Sequence, residues 1–265
     1  MYELLLVSQS PRRQQLLQEA GFLFRVDSVK VSETIKENVN ITGAIELLAQ
    51  TKGRAYANKH KSLKGKEILI LSADTMVVLG ESALGKPKNP AEATQFLRQL
   101  SGKTPRVITG IYLLNLATGD EILASDTTKV EFFHLSDQEI SDYIATEEPM
   151  DKAGAYAIQG LGGKFVKNII GSRSNVIGLP MELFEKVLAE SQWHVTRRLK
   201  FSDFETGLTI NFSDISLFDL LQFFYFSFSS IFSLTCIMSQ RSPFPLLLPT
   251  SGIFLLSQFA VSISN

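Results

Sequence analysis

The sequence predicts an α/β domain with a mixed sheet. Three observations lead there. Apolar strand-like runs alternate with helix-start signals from Leu4 to about residue 190. Two of the strands, 106–115 and 121–133, are separated only by a turn at Thr118-Gly119-Asp120, so they form a hairpin that a purely parallel sheet does not contain. Positions 1–206 hold 25 basic and 25 acidic residues, the balance of an ordinary globular α/β domain.

The elements follow in order. Leu4-Leu5-Leu6-Val7 reads as a buried strand. Ser10 then offers an N-cap and Pro11 a first helical residue, for a helix to about Ala20 that Gly21 stops. A second helix is expected over 43–59, entered at Thr42, with Ile45, Leu48 and Ala55 inward. Residues 68–71 make a strand ending in Ser72-Ala73-Asp74-Thr75, and 76–79 are extended again. Gly85-Lys86-Pro87 is a loop, and Asn89-Pro90-Ala91-Glu92 starts a helix to about Leu100. After the hairpin, Ser136-Asp137-Gln138-Glu139 is a capping box that opens a helix to about Thr146. A Gly-rich stretch follows, and Pro180 starts a last helix to about Glu190.

Composition excludes several classes. The 265 residues carry 26 Lys+Arg against 27 Asp+Glu, a net charge of −1, which argues against a bulk nucleic-acid binder. The single cysteine, Cys236, rules out a disulfide framework, a Cys-rich zinc site and a CxxC pair. His60, His134 and His194 lack metal-ligand spacing. Met1 to Val7 is too short and too acidic for a secretory leader, so the expected compartment is the cytoplasm.

The last 59 residues break from this pattern. They carry only three charges (Asp214, Asp219 and Arg241) and ten of the 19 phenylalanines. The expected organisation is a domain over 1–191, a polar linker over 192–206 with Arg197, Arg198 and Lys200, and a hydrophobic tail over 207–265. Residues 220–238 run 19 positions without a charge, barely a bilayer's thickness of helix, with five Ser or Thr among them. A disordered extension, a membrane anchor and a non-selected translation all fit that composition. Membrane contact is expected only through this tail.

Four places carry chemistry. At Ser8-Gln9-Ser10-Pro11-Arg12-Arg13 a strand runs into a helix N-terminus, where free N–H groups, two hydroxyls and two guanidiniums suit a phosphate. A capped helix with a solvated arginine pair explains the same residues. Asp74 follows an apolar strand, a position for holding Mg²⁺ or activating water, or simply for forming a turn. Lys86, between Gly85 and Pro87, supplies a point charge, while Lys52 on a helix serves a phosphate or solvent equally. In Asp151-Lys152-Ala153-Gly154-Ala155-Tyr156-Ala157-Ile158-Gln159-Gly160, small residues let a ligand close to the backbone, and the Gln159 amide can pair with a pyrimidine edge. A Gly-rich surface loop is the plainer account.

Taken together these segments, with Gly-Ser-x-x-Asn-Val-x-Gly-Leu-Pro at 171–180, resemble the Maf family of nucleoside triphosphate pyrophosphatases. Five motifs occur in order over about 2–190. The resemblance implies a fold similar to inosine triphosphate pyrophosphatase, two lobes around a deep cleft, and a homodimer. It implies hydrolysis of a nucleoside triphosphate to the monophosphate and pyrophosphate with Mg²⁺ or Mn²⁺. Asp74 resembles the family's proton acceptor. Arg12, Thr75 and Gln159 match positions that set base preference, and Arg13, Lys52 and Lys86 match triphosphate contacts, to which Ser8 and Ser10 add hydroxyls. Glu33 matches an acid near the metal, with Asp74. Thr75 with Ile158-Gln159-Gly160 is similar to the dTTP/UTP branch. A 7-methyl-GTP pyrophosphatase and a nucleotide-binding regulator of cell division without turnover are the alternatives.

Overall fold

A computed structural model of the chain describes residues 1–31 and 40–198. They fall in one compact unit, Met1–Lys200. In chain order the elements are β1 (Glu3–Val7), α1 (Pro11–Glu19), β2 (Phe24–Asp27), α2 (Ile41–Lys59), β3 (Ile68–Leu79), β4 (Ser82–Leu84), α3 (Pro90–Leu100), β5 (Arg106–Asn115), β6 (Glu121–Phe132), α4 (Asp137–Ile144), β7 (Val166–Ile170), α5 (Arg173–Ile177) and α6 (Met181–Glu190). The strands form one sheet in the order β2-β1-β3-β5-β6-β7, with β4 paired to β3. β1 runs parallel to β2 and β3, and the other pairings are antiparallel. The sheet is mixed, as the hairpin predicts.

One element differs in a way that matters. The expected strand 68–71 and extended piece 76–79 are a single strand, β3, so Asp74 stands mid-strand rather than at a strand's end. The reason is its partner: β5 pairs with β3 continuously from Leu69↔Asn115 to Val78↔Arg106. On the other side β3 changes neighbours. β1 pairs with it only as far as Leu71, and β4 takes over at Val77. Residues 72–76 face the interval between those two ladders, and Asp74 and Thr75 sit in it.

Side-chain alternation along β1 builds a core on each face of the sheet. Leu4 and Leu6 pack with Leu17, Leu71, Phe184 and Leu188, beneath α1 and α6. Leu5 and Val7 pack with Ala49, Tyr56, Ile70 and Tyr112, beneath α2. A separate cluster lies past the interval: Val77, Leu97, Leu100, Phe132, Ile140, Tyr143 and Phe165 join the far half of β3 to α3 and α4. These clusters are the two lobes. Two glycines let α2 lie close on the sheet. A Cβ on Gly110 would come 2.9 Å from the Glu46 backbone, and one on Gly53 would come 2.4 Å from the Tyr112 ring.

Other boundaries shift for local reasons. α2 begins at Ile41 because Asn40, not Thr42, is its cap, its side chain accepting from the Gly43 N–H at 2.7 Å. Ser136 and Glu139 form the predicted capping box. Pro180 is the N-cap of α6, whose first helical residue is Met181. β2, β4 and β7 carry weak sequence signals and appear only through their pairing, and the five-residue α5 is capped by Ser172, whose side chain accepts from the Asn175 N–H. The polar linker expected from 192 is docked at its start. Trp193 is buried in the first lobe, Tyr2 bridges to Val195, and the Arg197 guanidinium lies 3.9 Å over the Phe22 ring. Its charges misled because a guanidinium can cover an aromatic face while its rim stays wet. The rest of the linker and the 207–265 tail lie outside the described residues. Among the described residues no helix is long and apolar enough to cross a membrane.

Candidate active site

β1 delivers the first wall. The strand ends at Val7, and the chain crosses Ser8-Gln9-Ser10 into α1. Ser10 occupies the N-cap position, yet its side chain makes no capping bond. The buried Ser8 hydroxyl instead accepts from the Ser10 N–H at 3.2 Å and from Arg13 at 3.1 Å. Capping by the Ser10 side chain is therefore corrected. Its hydroxyl leaves the first turn of α1, the positive end of the helix dipole, without a side-chain cap, and Ser10 to Arg13 line the cavity.

Arg13 ties three elements together. Its Nε donates to the Gly178 carbonyl at 2.7 Å, and its two terminal nitrogens donate to Ser8 Oγ and Thr75 Oγ1, each at 3.1 Å. Gly178 ends α5 with φ +124°, a conformation that suits glycine, and this aims its carbonyl. Opposite, Asp74 rises from β3 and pairs with the Lys52 ammonium of α2. Both side chains are mostly buried, 13% and 16% exposed. The close seating of α2 over Gly110, the residue across the ladder from Asp74, is what brings Lys52 there.

The second lobe supplies the other wall. Lys86 stands exposed on a loop whose Gly85 carbonyl accepts from Gly154 N–H at 3.0 Å. Lys152 pairs with Asp151. Partial burial works to raise the Asp151 carboxyl, but the Lys152 hydrogen bond and the charges of Lys152 and Arg12 outweigh it and hold it below its ordinary value. Between the walls lies a cavity of about 980 Å³, lined by Ser8, Ser10, Arg12, Arg13, Lys52, Asp74, Thr75 and Lys86 among others.

Eight of the ten residues singled out from sequence thus converge on one hollow. Gln159 does not line it: Ile158 does, and the Gln159 side chain is exposed next to it. The two are the middle of a turn in which the Gly160 N–H donates to the Ala157 carbonyl at 3.3 Å, and the apolar one faces in. The segment is held from behind by Glu148, which accepts from Tyr143 Oη at 2.9 Å, Leu161 N–H at 3.1 Å and Gly162 N–H at 3.2 Å. Glu33 lies outside the described residues. Sequence reasoning passed over Asp151 and Lys152, which stood inside a quoted motif without being chosen. It also missed Thr109, a fully buried threonine of β5 with no local signal at all.

The donor set suits a hard divalent cation in one way only. Among the described residues no three His, Cys, Asp or Glu side chains cluster to cage a metal. Among the described residues Asp74 and Asp151 line the cationic hollow, and the mostly buried Asp74 fits Mg²⁺ binding through one or two carboxylates completed by phosphate oxygens.

A family model for Maf-like protein matches residues 3–191. The chain belongs to the Maf family. Among its Maf relatives, the dTTP/UTP pyrophosphatase of Bdellovibrio bacteriovorus is 46% identical over 187 residues, 71% of this chain and 97% of that protein. The dTTP/UTP pyrophosphatase of Geobacillus sp. is 42% identical over 193 residues, 73% of this chain and all of that one. Of solved structures, a HAM1 protein from Coxiella burnetii aligns with 72% of this chain and 100% of its own at 15% identity and a TM-score of 0.39.

Proposed function

We propose that the chain hydrolyses nucleoside triphosphates, dTTP and UTP foremost, between the α and β phosphoryl groups, giving a nucleoside monophosphate and pyrophosphate. One observation carries the reading: the mostly buried Asp74 carboxylate stands among Arg12, Arg13, Lys52 and Lys86 around one hollow of a Maf domain. Clustered cations there match a triphosphate's charge, and an acceptor beside them is what a hydrolytic water requires. The relatives named above support the choice of pyrimidine nucleotides.

Asp74 orients a water and takes its proton as the water oxygen attacks the α-phosphorus. The bond from that phosphorus to the α–β bridging oxygen breaks, and pyrophosphate leaves with the bond's electron pair. Lys52 holds the Asp74 carboxylate in place, and Arg13 and Lys86 draw off charge that develops on the leaving phosphoryls. A Mg²⁺ or Mn²⁺ ion, held by Asp74, by Glu33 on the strength of the family resemblance and by phosphate oxygens, would add neutralisation of that same charge. Arg12, Thr75 and Gln159 choose the base, Gln159 by turning toward the hollow from beside Ile158. The chain acts as a homodimer in the cytoplasm, without nucleic acid, and its domain spans 1–191.

The test is release of pyrophosphate from dTTP, UTP, dCTP and 7-methyl-GTP with Mg²⁺. Turnover of dTTP and UTP well above the other two is the expected result. Binding of dTTP without pyrophosphate release would instead favour a sensor.

A further inference from the structure

Behind Arg13 and Thr75 runs a file of polar groups set back from the cavity. Thr109 stands directly across the β3–β5 ladder from Thr75, and the two hydroxyl oxygens are 2.9 Å apart. Thr109 is fully buried and does not line the cavity. Its hydroxyl donates to the Asn175 backbone carbonyl at 3.1 Å. A threonine hydroxyl has one proton, and a carbonyl only accepts. With its proton on that carbonyl, Thr109 can only accept from Thr75. Thr75 therefore gives its proton to Thr109 and presents lone pairs to Arg13, whose terminal nitrogen donates to it at 3.1 Å.

The far end of the file is anchored. The Asn175 amide, also fully buried, donates to the Val107 carbonyl and to Thr128 Oγ1, each at 3.0 Å, and Thr128 donates to the Ser172 carbonyl at 3.0 Å. The Thr128 hydroxyl thus has a fixed sense, accepting from an amide nitrogen and donating to a carbonyl, and the sense at Thr75 follows from Thr109 keeping its proton on the Asn175 carbonyl. A competing acceptor exists for the Thr75 proton, the Gly178 carbonyl at 3.4 Å. That carbonyl already takes Arg13 Nε at 2.7 Å.

We infer that Thr109 is a positioning residue for the nucleotide site: its hydroxyl sets the direction of the Thr75 hydrogen bond and so holds Thr75 and Arg13 in one arrangement. This rests on the reading of Arg13 and Thr75 as nucleotide contacts. Without the Thr109 hydroxyl, the Thr75 proton turns to the Gly178 carbonyl, which rotates the lone pairs that Arg13 meets and loosens the guanidinium.

The experiment measures pyrophosphate release from dTTP by the full chain. Thr109→Val should lower kcat/KM by about tenfold, through kcat as well as KM, because the loosened Arg13 both binds phosphoryl groups and draws off charge that develops on them. Thr109→Ser, which keeps the hydroxyl, should stay within about twofold of wild type. The deciding comparison is with Thr75→Val. Adding Thr109→Val to it should cost nothing further, since the link is already gone, whereas a merely structural threonine gives losses that add. Additive losses, an unaffected Thr109→Val, or a Thr109→Ser as weak as Thr109→Val would each overturn the inference. If Thr109→Val does not fold, Thr109→Cys replaces it under the same expectations, its S–H being a poor donor. Should wild type release no pyrophosphate, the functional reading is what fails. Binding of inorganic tripolyphosphate then decides the inference, which equal affinity of wild type and Thr109→Val would overturn.

Discussion

The two walls of the cleft are built by different means. On the wall from β1 and β3, Arg13 holds three protein partners on three elements, and Ser8 and Thr75 are held in turn. On the wall from the second lobe, Lys86 is an exposed point charge on a loop, and Asp151 pairs with the residue beside it. A guanidinium fixed by several hydrogen bonds has lost its rotamer freedom before any ligand arrives, while a solvated ammonium on a flexible stem has not. One wall is preorganised and the other supplies adjustable charge. Asp74 stands with the rigid wall, on β3.

That contrast can be broken by substitution. Asp74→Asn should cause the largest loss, about 10²–10⁴-fold in kcat, while dTTP binding measured by calorimetry persists. Arg13→Lys comes next. A single ammonium cannot reproduce the forked contacts to Ser8, Thr75 and Gly178, so kcat/KM should fall by about 10–100-fold and Tm should fall with it. Lys86→Ala should cost only about three- to tenfold in kcat/KM, leave Tm unchanged, and shrink further as salt is raised. If Lys86→Ala lowered Tm as much as Arg13→Lys, the walls would not differ as described.

The smallest effect concerns what steadies the segment beside Ile158. Partial burial works to raise the Glu148 carboxyl, but the Leu161 and Gly162 N–H groups, the Tyr143 hydroxyl and the charge of Lys152 outweigh it and lower it from 4.5. A depressed folded value means that the ionised form adds stability above the ordinary value, and that this is lost as pH falls through the folded one. Glu148→Gln should therefore lower Tm by about 2–4 °C at pH 7. The gap from wild type should narrow in thermal melts as pH falls below the ordinary carboxyl range and through the lowered folded value.

Much of the site was legible because its residues sit in short contiguous runs. A strand, a tight crossing and a helix start at Ser8-Gln9-Ser10-Pro11-Arg12-Arg13 are local events, read from N-cap and proline preferences. The side of the turn on which Gln159 lies was not, since that depends on Glu148 gripping the backbone two and three residues farther on. Nor was the docking of Trp193, a residue that follows an apparently complete helix.

By itself the amino-acid order determined the class of fold, the helix starts and most of the chemical types that line the hollow, because propensity, capping and periodicity act over a few residues. Tertiary structure alone decided three things: the continuity of β3 through Asp74, the interval its neighbours leave there, and the buried file from Arg13 to Asn175. Each depends on pairing between segments far apart in the chain. The unbroken strand needs β5 along its length, the interval needs β1 to stop before β4 begins, and the file needs Thr109 opposite Thr75. Register between distant strands is set by packing on both faces of the sheet, which no short window of residues encodes.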